Sequence, residues 1–173
     1  MRRIYNPRTY MTEPTIRRAL AGDLDQLKPL WLALYRHQRE HGMLINLPED
    51  SYERWKKSML PSLGRFAHVI VAHRSDEIVG FVVGRIRALP PYFGSTLVGT
   101  ISELFVCDSC RGSGVGRKML VLATEWFTSQ NIARIELQVV VGNPEALRFY
   151  RGLGWQEELI QLVWNPNGED SSR

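Results

Sequence analysis

Residues 101–120 read ISELFVCDSCRGSGVGRKML, and the reading of their three alternating glycines decides the fold. The run ISELFV is apolar and β-branched, as a strand requires. From Gly114 the pattern changes to a helical one, with Val115, Met119, Leu122, Ala123, Trp126 and Phe127 on one face. Gly112, Gly114 and Gly116 therefore stand where a strand turns into a helix. A helix N-terminus offers unpaired N–H groups and the positive end of its dipole, so it takes a phosphate when no side chain blocks the approach. Arg111, Arg117 and Lys118 add positive charge at the same corner. Neither common nucleotide motif fits. GxxxxGK[ST] is absent, and a GxGxxG fingerprint fails because Arg117 follows Gly114 by three. The spacing is R-x-x-G-x-G, from Arg111 to Gly116, which by itself is equally a plain glycine-rich turn.

The only two cysteines, Cys107 and Cys110, lie in the same stretch. A redox pair activates its thiolate at a helix N-terminus, but here the glycines hold that position and the cysteines precede it. No second CxxC or CxxH supplies the remaining ligands of a zinc site. His37 and His41 are spaced to share a helix face, yet they lack a third ligand, so a solvated face is expected and no metal.

The 173 residues fit one domain, and 44% hydrophobic content can build a core. The net charge of +4 suits an anionic ligand but is dispersed, with no run of like charges of the kind that forms a nucleic-acid arm. No apolar segment approaches the ~20 residues that span a bilayer. A soluble, cytoplasmic protein without nucleic-acid or membrane partners is expected. The arginine-bearing residues 1–12 read as a flexible extension rather than a targeting signal.

Outward from the glycine stretch, PTIRRAL reads as a strand, followed by a helical pattern from Asp23, a plausible N-cap, with Leu27, Leu30, Trp31, Leu34 and Tyr35 on one face. Pro29 predicts a bend or a restart there. A second helix is predicted from Pro48 to Leu60, then a hairpin of FAHVIVAHRS and EIVGFVVGRIRAL turning at Ser75-Asp76, and PPYFGS as a loop. After the central strand and helix come RIELQVVVG as a strand, NPEALRFYRGLGW as a short helix and EELIQLVW as a last strand. This alternation points to α/β packing with some parallel pairing.

Together, ISELFVCDSCRGSGVGRKML and IELQVVVGNPEALRFYRGLGW resemble the GNAT superfamily of acyl-CoA N-acyltransferases, over about a third of the chain. The resemblance implies a mixed, mostly antiparallel central sheet with a splayed parallel strand pair, flanked by helices. It implies a single acyl-CoA N-acyltransferase domain over residues 13–164, with 165–173 a disordered tail. Acetyl-CoA would be the acyl donor. Leu104, Phe105 and Val106 would pair with the pantetheine arm through their backbones, at a strand bulge, with Val106 the main contact. Arg111, Gly112, Ser113, Gly114, Val115, Gly116 and Arg117 would wrap the pyrophosphate, chiefly through glycine N–H groups, and Asn143 would reach the cofactor from the far side. Asp108 stands where many members have proline. Homodimers are common in the family, but no residue here demonstrates one.

Acetyl transfer to an amine needs two protons managed. An amine of pKa ~10.4 is neutral in about one molecule in 2,500 at pH 7, so a base must help, and the leaving thiolate needs a proton. Tyr150 matches the family's general-acid tyrosine. Glu103, three residues before Val106, is the candidate base, with ordered water the alternative. The acceptor expected is a small-molecule primary amine of polyamine, amino-acid or aminoglycoside type. Glu40, Glu49, Asp50 and Glu53 would attract it, and Trp31, Tyr35, Tyr52, Trp55, Tyr92 and Phe93 would wall it. A protein N-terminus or lysine as acceptor, a catalytically inactive CoA-binding module and a nucleic-acid-binding domain are the rival readings.

Overall fold

The structure is a computed structural model that describes residues 13–164. The expected extension at 1–12 and the tail at 165–173 lie outside the described residues. Five strands form one sheet in chain order: β1 (Thr15–Arg18), β2 (Ala67–Arg74), β3 (Glu77–Ala88), β4 (Leu97–Val106) and β5 (Ile135–Leu137). The first four pair antiparallel, and β5 joins β4 in parallel. The helices are α1 (Asp23–Gln26), α2 (Lys28–Glu40), α3 (Ser51–Met59), α4 (Val115–Ser129) and α5 (Pro144–Arg151). This is the mixed, mostly antiparallel architecture with one parallel pair that the resemblance implied.

Pro29 restarts the helix. It occupies the first turn of α2, where its missing N–H breaks no bond. Asp23 is not an N-cap: it is buried as the first residue of α1, accepting two bonds from the Arg17 guanidinium, at 2.7 and 2.9 Å, and one from the Leu20 N–H.

Two apolar layers cover the sheet. Leu24, Leu27, Trp31, Tyr52, Trp55 and Met59 from the first three helices pack on Val69, Val71, Phe81, Val83 and Phe105. On the other face, Val115, Met119, Ala123 and Phe127 of α4 pack on Ile70, Val82 and Ile101. The C-terminal end of α4 approaches the sheet through a notch. A Cβ at Gly99 would stand 2.6 Å from the Phe127 ring, and one at Gly84 would stand 2.9 Å from it, so neighbouring strands leave room for one phenyl group.

Two expected strands differ. Of RIELQVVVG only Ile135–Leu137 pairs, because β4 and β5 diverge beyond Ile101. EELIQLVW forms no strand: it lies outside any ladder, with Leu159, Ile160, Leu162, Val163 and Trp164 between 61 and 90% exposed.

Candidate active site

The site starts from one extra residue. The β3–β4 register shifts between Val83 and Gly84, which face Glu103 and Ile101, so Ser102 is a bulge with no partner. The bulge reverses the side-chain phase of β4. Ile101, Leu104 and Val106 belong to the α4 layer, while Glu103 and Phe105 turn to the α2–α3 layer. β5 pairs only with Gly99–Ile101, so the rest of β4 has an open edge on that side.

Backbone alternation decides which groups face this opening. The Cys107 N–H donates to the Val79 carbonyl at 2.8 Å, so Phe105 also directs its backbone toward β3, and Leu104 and Val106 direct theirs into the gap. The Val106 carbonyl accepts from Nε of Arg111 at 3.1 Å. Arg111 also pairs with Asp108 at 2.9 Å and lies 5.5 Å over the Phe105 ring, which ties the loop to the strand end. In place of proline, Asp108 begins a 3-10 turn through Cys110.

Beyond that turn, Gly112 and Gly114 adopt φ of 73° and 84°, a left-handed conformation that other residues reach only with strain. Among the described residues, chain neighbours aside, no atom lies within 4 Å of where a Cβ would stand at either. The Lys118 N–H donates to the Gly114 carbonyl as the first helical bond, so the N–H groups of Val115, Gly116 and Arg117 are left without intrahelical acceptors. Gly116 keeps that entrance narrow: its Cβ would touch Val106 at 3.6 Å and Phe149 at 3.8 Å. The Ser113 hydroxyl donates to the Cys110 carbonyl at 2.6 Å. Beside this corner Gly114, Arg117, Lys118, Val121 and Leu122 line a cleft of about 640 Å3, with Pro14 and Ile16 opposite. Open N–H groups, space at the glycines and the Arg117 cation suit a pyrophosphate, while Lys118 is paired with Glu13.

Across the gap, Asn143 caps α5, its side-chain oxygen accepting the Ala146 N–H at 3.0 Å. The preceding Gly142 packs directly on the His41 carbonyl, which clasps the end of α2 to the far wall. Tyr150 lies in the α4 layer between Phe149 and Trp155, with ring centroids at 5.1 and 6.0 Å. Burial alone pushes its phenol up to about 12, so it stays protonated at neutral pH.

Glu103 is 5% exposed. Its carboxylate accepts from the Trp55 indole N–H at 2.9 Å and from the Ser102 hydroxyl, to which Arg85 donates at 3.3 Å. The indole N–H of Trp31, beside Trp55 in the same layer, is buried and has no hydrogen-bond partner among the described residues. Burial raises the Glu103 pKa above the usual carboxylate range, against the opposing pull of Ser102, Arg85 and Trp55. The sequence reading did not identify these partners, because Trp55 is 48 residues away and reads simply as one face of a helix. Trp31, Tyr52 and Trp55 are not open walls for an acceptor. They pack on one another in the core, with centroids 5.3 to 5.9 Å apart.

Residues 25–155 match the Acetyltransferase (GNAT) family. The chain belongs to it. An uncharacterized N-acetyltransferase of Archaeoglobus fulgidus is 33% identical over 135 residues, 78% of this chain and 88% of that protein. A crystal structure described as a transcriptional regulator from Bacillus halodurans is 28% identical and superposes with a TM-score of 0.70, covering 88% of this chain and 99% of that one. An aminoglycoside N-acetyltransferase in complex with CoA shares the fold, with a TM-score of 0.72 at 18% identity over 95% of this chain and all of that one. This GNAT chain is an acyl-CoA-dependent N-acyltransferase. No helix among the described residues is long and apolar enough to cross a membrane.

Proposed function

We propose that this enzyme moves an acetyl group from acetyl-CoA to the primary amine of a small molecule by direct attack. The observation that carries the reading is the divergence of β4 from β5, with the backbone of Leu104 and Val106 facing the gap and the open N-terminus of α4 at its mouth. In this reading the donor brings a thioester whose carbonyl carbon the amine attacks. Leu104 and Val106 align the pantetheine amides. The N–H groups of Val115, Gly116 and Arg117 hold the pyrophosphate, with the Arg117 side chain adding charge and Lys118 available only on release from Glu13. Asn143, its oxygen engaged as a cap, has only its amide NH2 left to offer the donor.

The proton account assigns the remaining groups. Glu103, more basic than an ordinary carboxylate, draws the proton from the ammonium through Ser102 or an intervening water. After attack the nitrogen releases its second proton to solvent, and as the C–S bond breaks the Tyr150 hydroxyl passes its proton to the sulfur and regains one from solvent. A phenol at about 12 is a weak acid, so transfer is expected to accompany bond breaking. Cys107 and Cys110 take no part.

The test combines binding and turnover. Calorimetry with acetyl-CoA is expected to show tight binding that dephospho-CoA weakens and Gly114→Glu abolishes. Tyr150→Phe is expected to retain that affinity while kcat falls about 10²-fold. Undiminished turnover in the phenylalanine variant removes the acid role, and no binding by the intact protein removes the reading itself.

A further inference from the structure

The outer face of α2 carries a second cleft, of about 550 Å3, lined by Leu32, Tyr35, Arg36, Arg39 and Glu40, with Leu47 from the following loop. Arg36 and Arg39 are one helical turn apart on that face. Among the described residues neither has a carboxylate partner, whereas two of the acids expected to attract an acceptor do. Glu53 pairs with Lys28 at 3.0 Å, and Asp50 with Arg54 at 2.7 Å. On α2 itself the cleft carries Arg36 and Arg39 against Glu40, so the charge it presents to an acceptor is positive.

The cleft borders the chemistry at its inner end. Tyr35 packs on Trp31 with centroids 4.3 Å apart, and burial, with a smaller contribution from the Glu103 charge, pushes its hydroxyl up to about 12. Trp31, 2% exposed, packs in turn on Trp55 at 5.9 Å, and the Trp55 indole donates to the Glu103 carboxylate at 2.9 Å. The far end of α2 touches the wall of the gap through His41 and Gly142. One helix thus spans the distance from the free guanidinium groups to the groove for the donor.

Building on the proposed acetyl transfer, we infer that this cleft selects amines that carry a carboxylate, such as amino acids or short peptides. Arg36 and Arg39 hold the carboxylate, Leu32 and Leu47 carry an apolar portion, and the amine is directed past Tyr35 toward Glu103. Two guanidinium groups against the single Glu40 carboxylate leave one net positive charge, which matches a monoanion better than a phosphate ester. The same charges disfavour polyamines.

The test uses matched acceptors: L-amino acids and dipeptides, each against its C-terminal amide, with spermidine as the polycation. CoA release is expected to give a kcat/KM about tenfold higher for the acid than for the amide. In Arg36→Gln/Arg39→Gln that preference disappears through a rise in KM, while acetyl-CoA affinity by calorimetry shows that the donor groove is intact. Conservative Arg36→Lys/Arg39→Lys is expected to restore part of it. Equal use of acids and amides, a preference for spermidine, or a preference that survives the double variant overturns the inference. A separate arm measures calorimetric binding of an N-acetyl dipeptide and its amide without turnover. Tighter binding of the acid upholds the cleft even if acetyl transfer fails, and equal or no binding removes it.

Discussion

Strands β2 to β4 and the stretch from β5 to Trp164 are both rich in branched apolar residues, yet they are held differently. Val69, Val71, Phe81, Val82 and Val83 are fully buried between two helical layers. In the later stretch β5 pairs over three residues, α5 has no fully buried residue, and the apolar side chains of 159–164 face water. The boundary is the edge of β4 that the Ser102 bulge turns away from β5. The comparison teaches that the two walls of the gap differ in strength: one is the core of the protein, and the other, with Asn143 and Tyr150, is lightly attached.

The comparison breaks most easily at Phe127. Phe127→Ala is expected to cost about 3–5 kcal/mol in denaturant unfolding, since it empties the glycine notch, against less than about 2 for Phe149→Ala. Similar losses would mean that the two walls are equally strong. A ligand sharpens it next. Acetyl-CoA at 100 times its Kd is expected to stabilise the protein by about 2.7 kcal/mol. Hydrogen exchange should slow most at Leu137–Arg151 and barely change in β2 and β3. Slowing confined to β2 and β3 would place the donor elsewhere.

The smallest effect probes the strong side alone. His68 stacks on Trp126 at 4.9 Å, and burial, helped by the Arg18 charge, pushes its imidazole down to about 4. Between about 4 and the ordinary 6.5 the unfolded chain binds the extra proton, so stability falls as pH drops through that window. His68→Gln is expected to flatten the fall in unfolding free energy from pH 6.5 to 4 by on the order of 1 kcal/mol, with partial exposure of the ring reducing the effect. An unchanged slope would show that the acid sensitivity comes from another group.

Much of this was legible in the sequence, for reasons tied to local chemistry. The glycines between a strand and a helix, the restart at Pro29 and the hairpin at Ser75-Asp76 follow from backbone rules that act within a few residues. The failures concern partners. RIELQVVVG and EELIQLVW have the composition of strands, but a strand exists only where an edge accepts it, and that depends on the bulge at Ser102. Glu103 was legible as a carboxylate on the right strand. Its attachment to Trp55, and the occupation of Glu53 by Lys28, depend on contacts across the fold that no spacing encodes, whereas the Asp50–Arg54 pair follows from an i,i+4 spacing.

The notch under Phe127 has a consequence for affinity as well as stability. It fixes the far end of α4 to two strands at once, so the helix acts as a lever clamped at its base, with the amides proposed to hold the pyrophosphate at its tip. Because those amides are held in place before any ligand arrives, little ordering entropy is lost at that end of the donor when it binds.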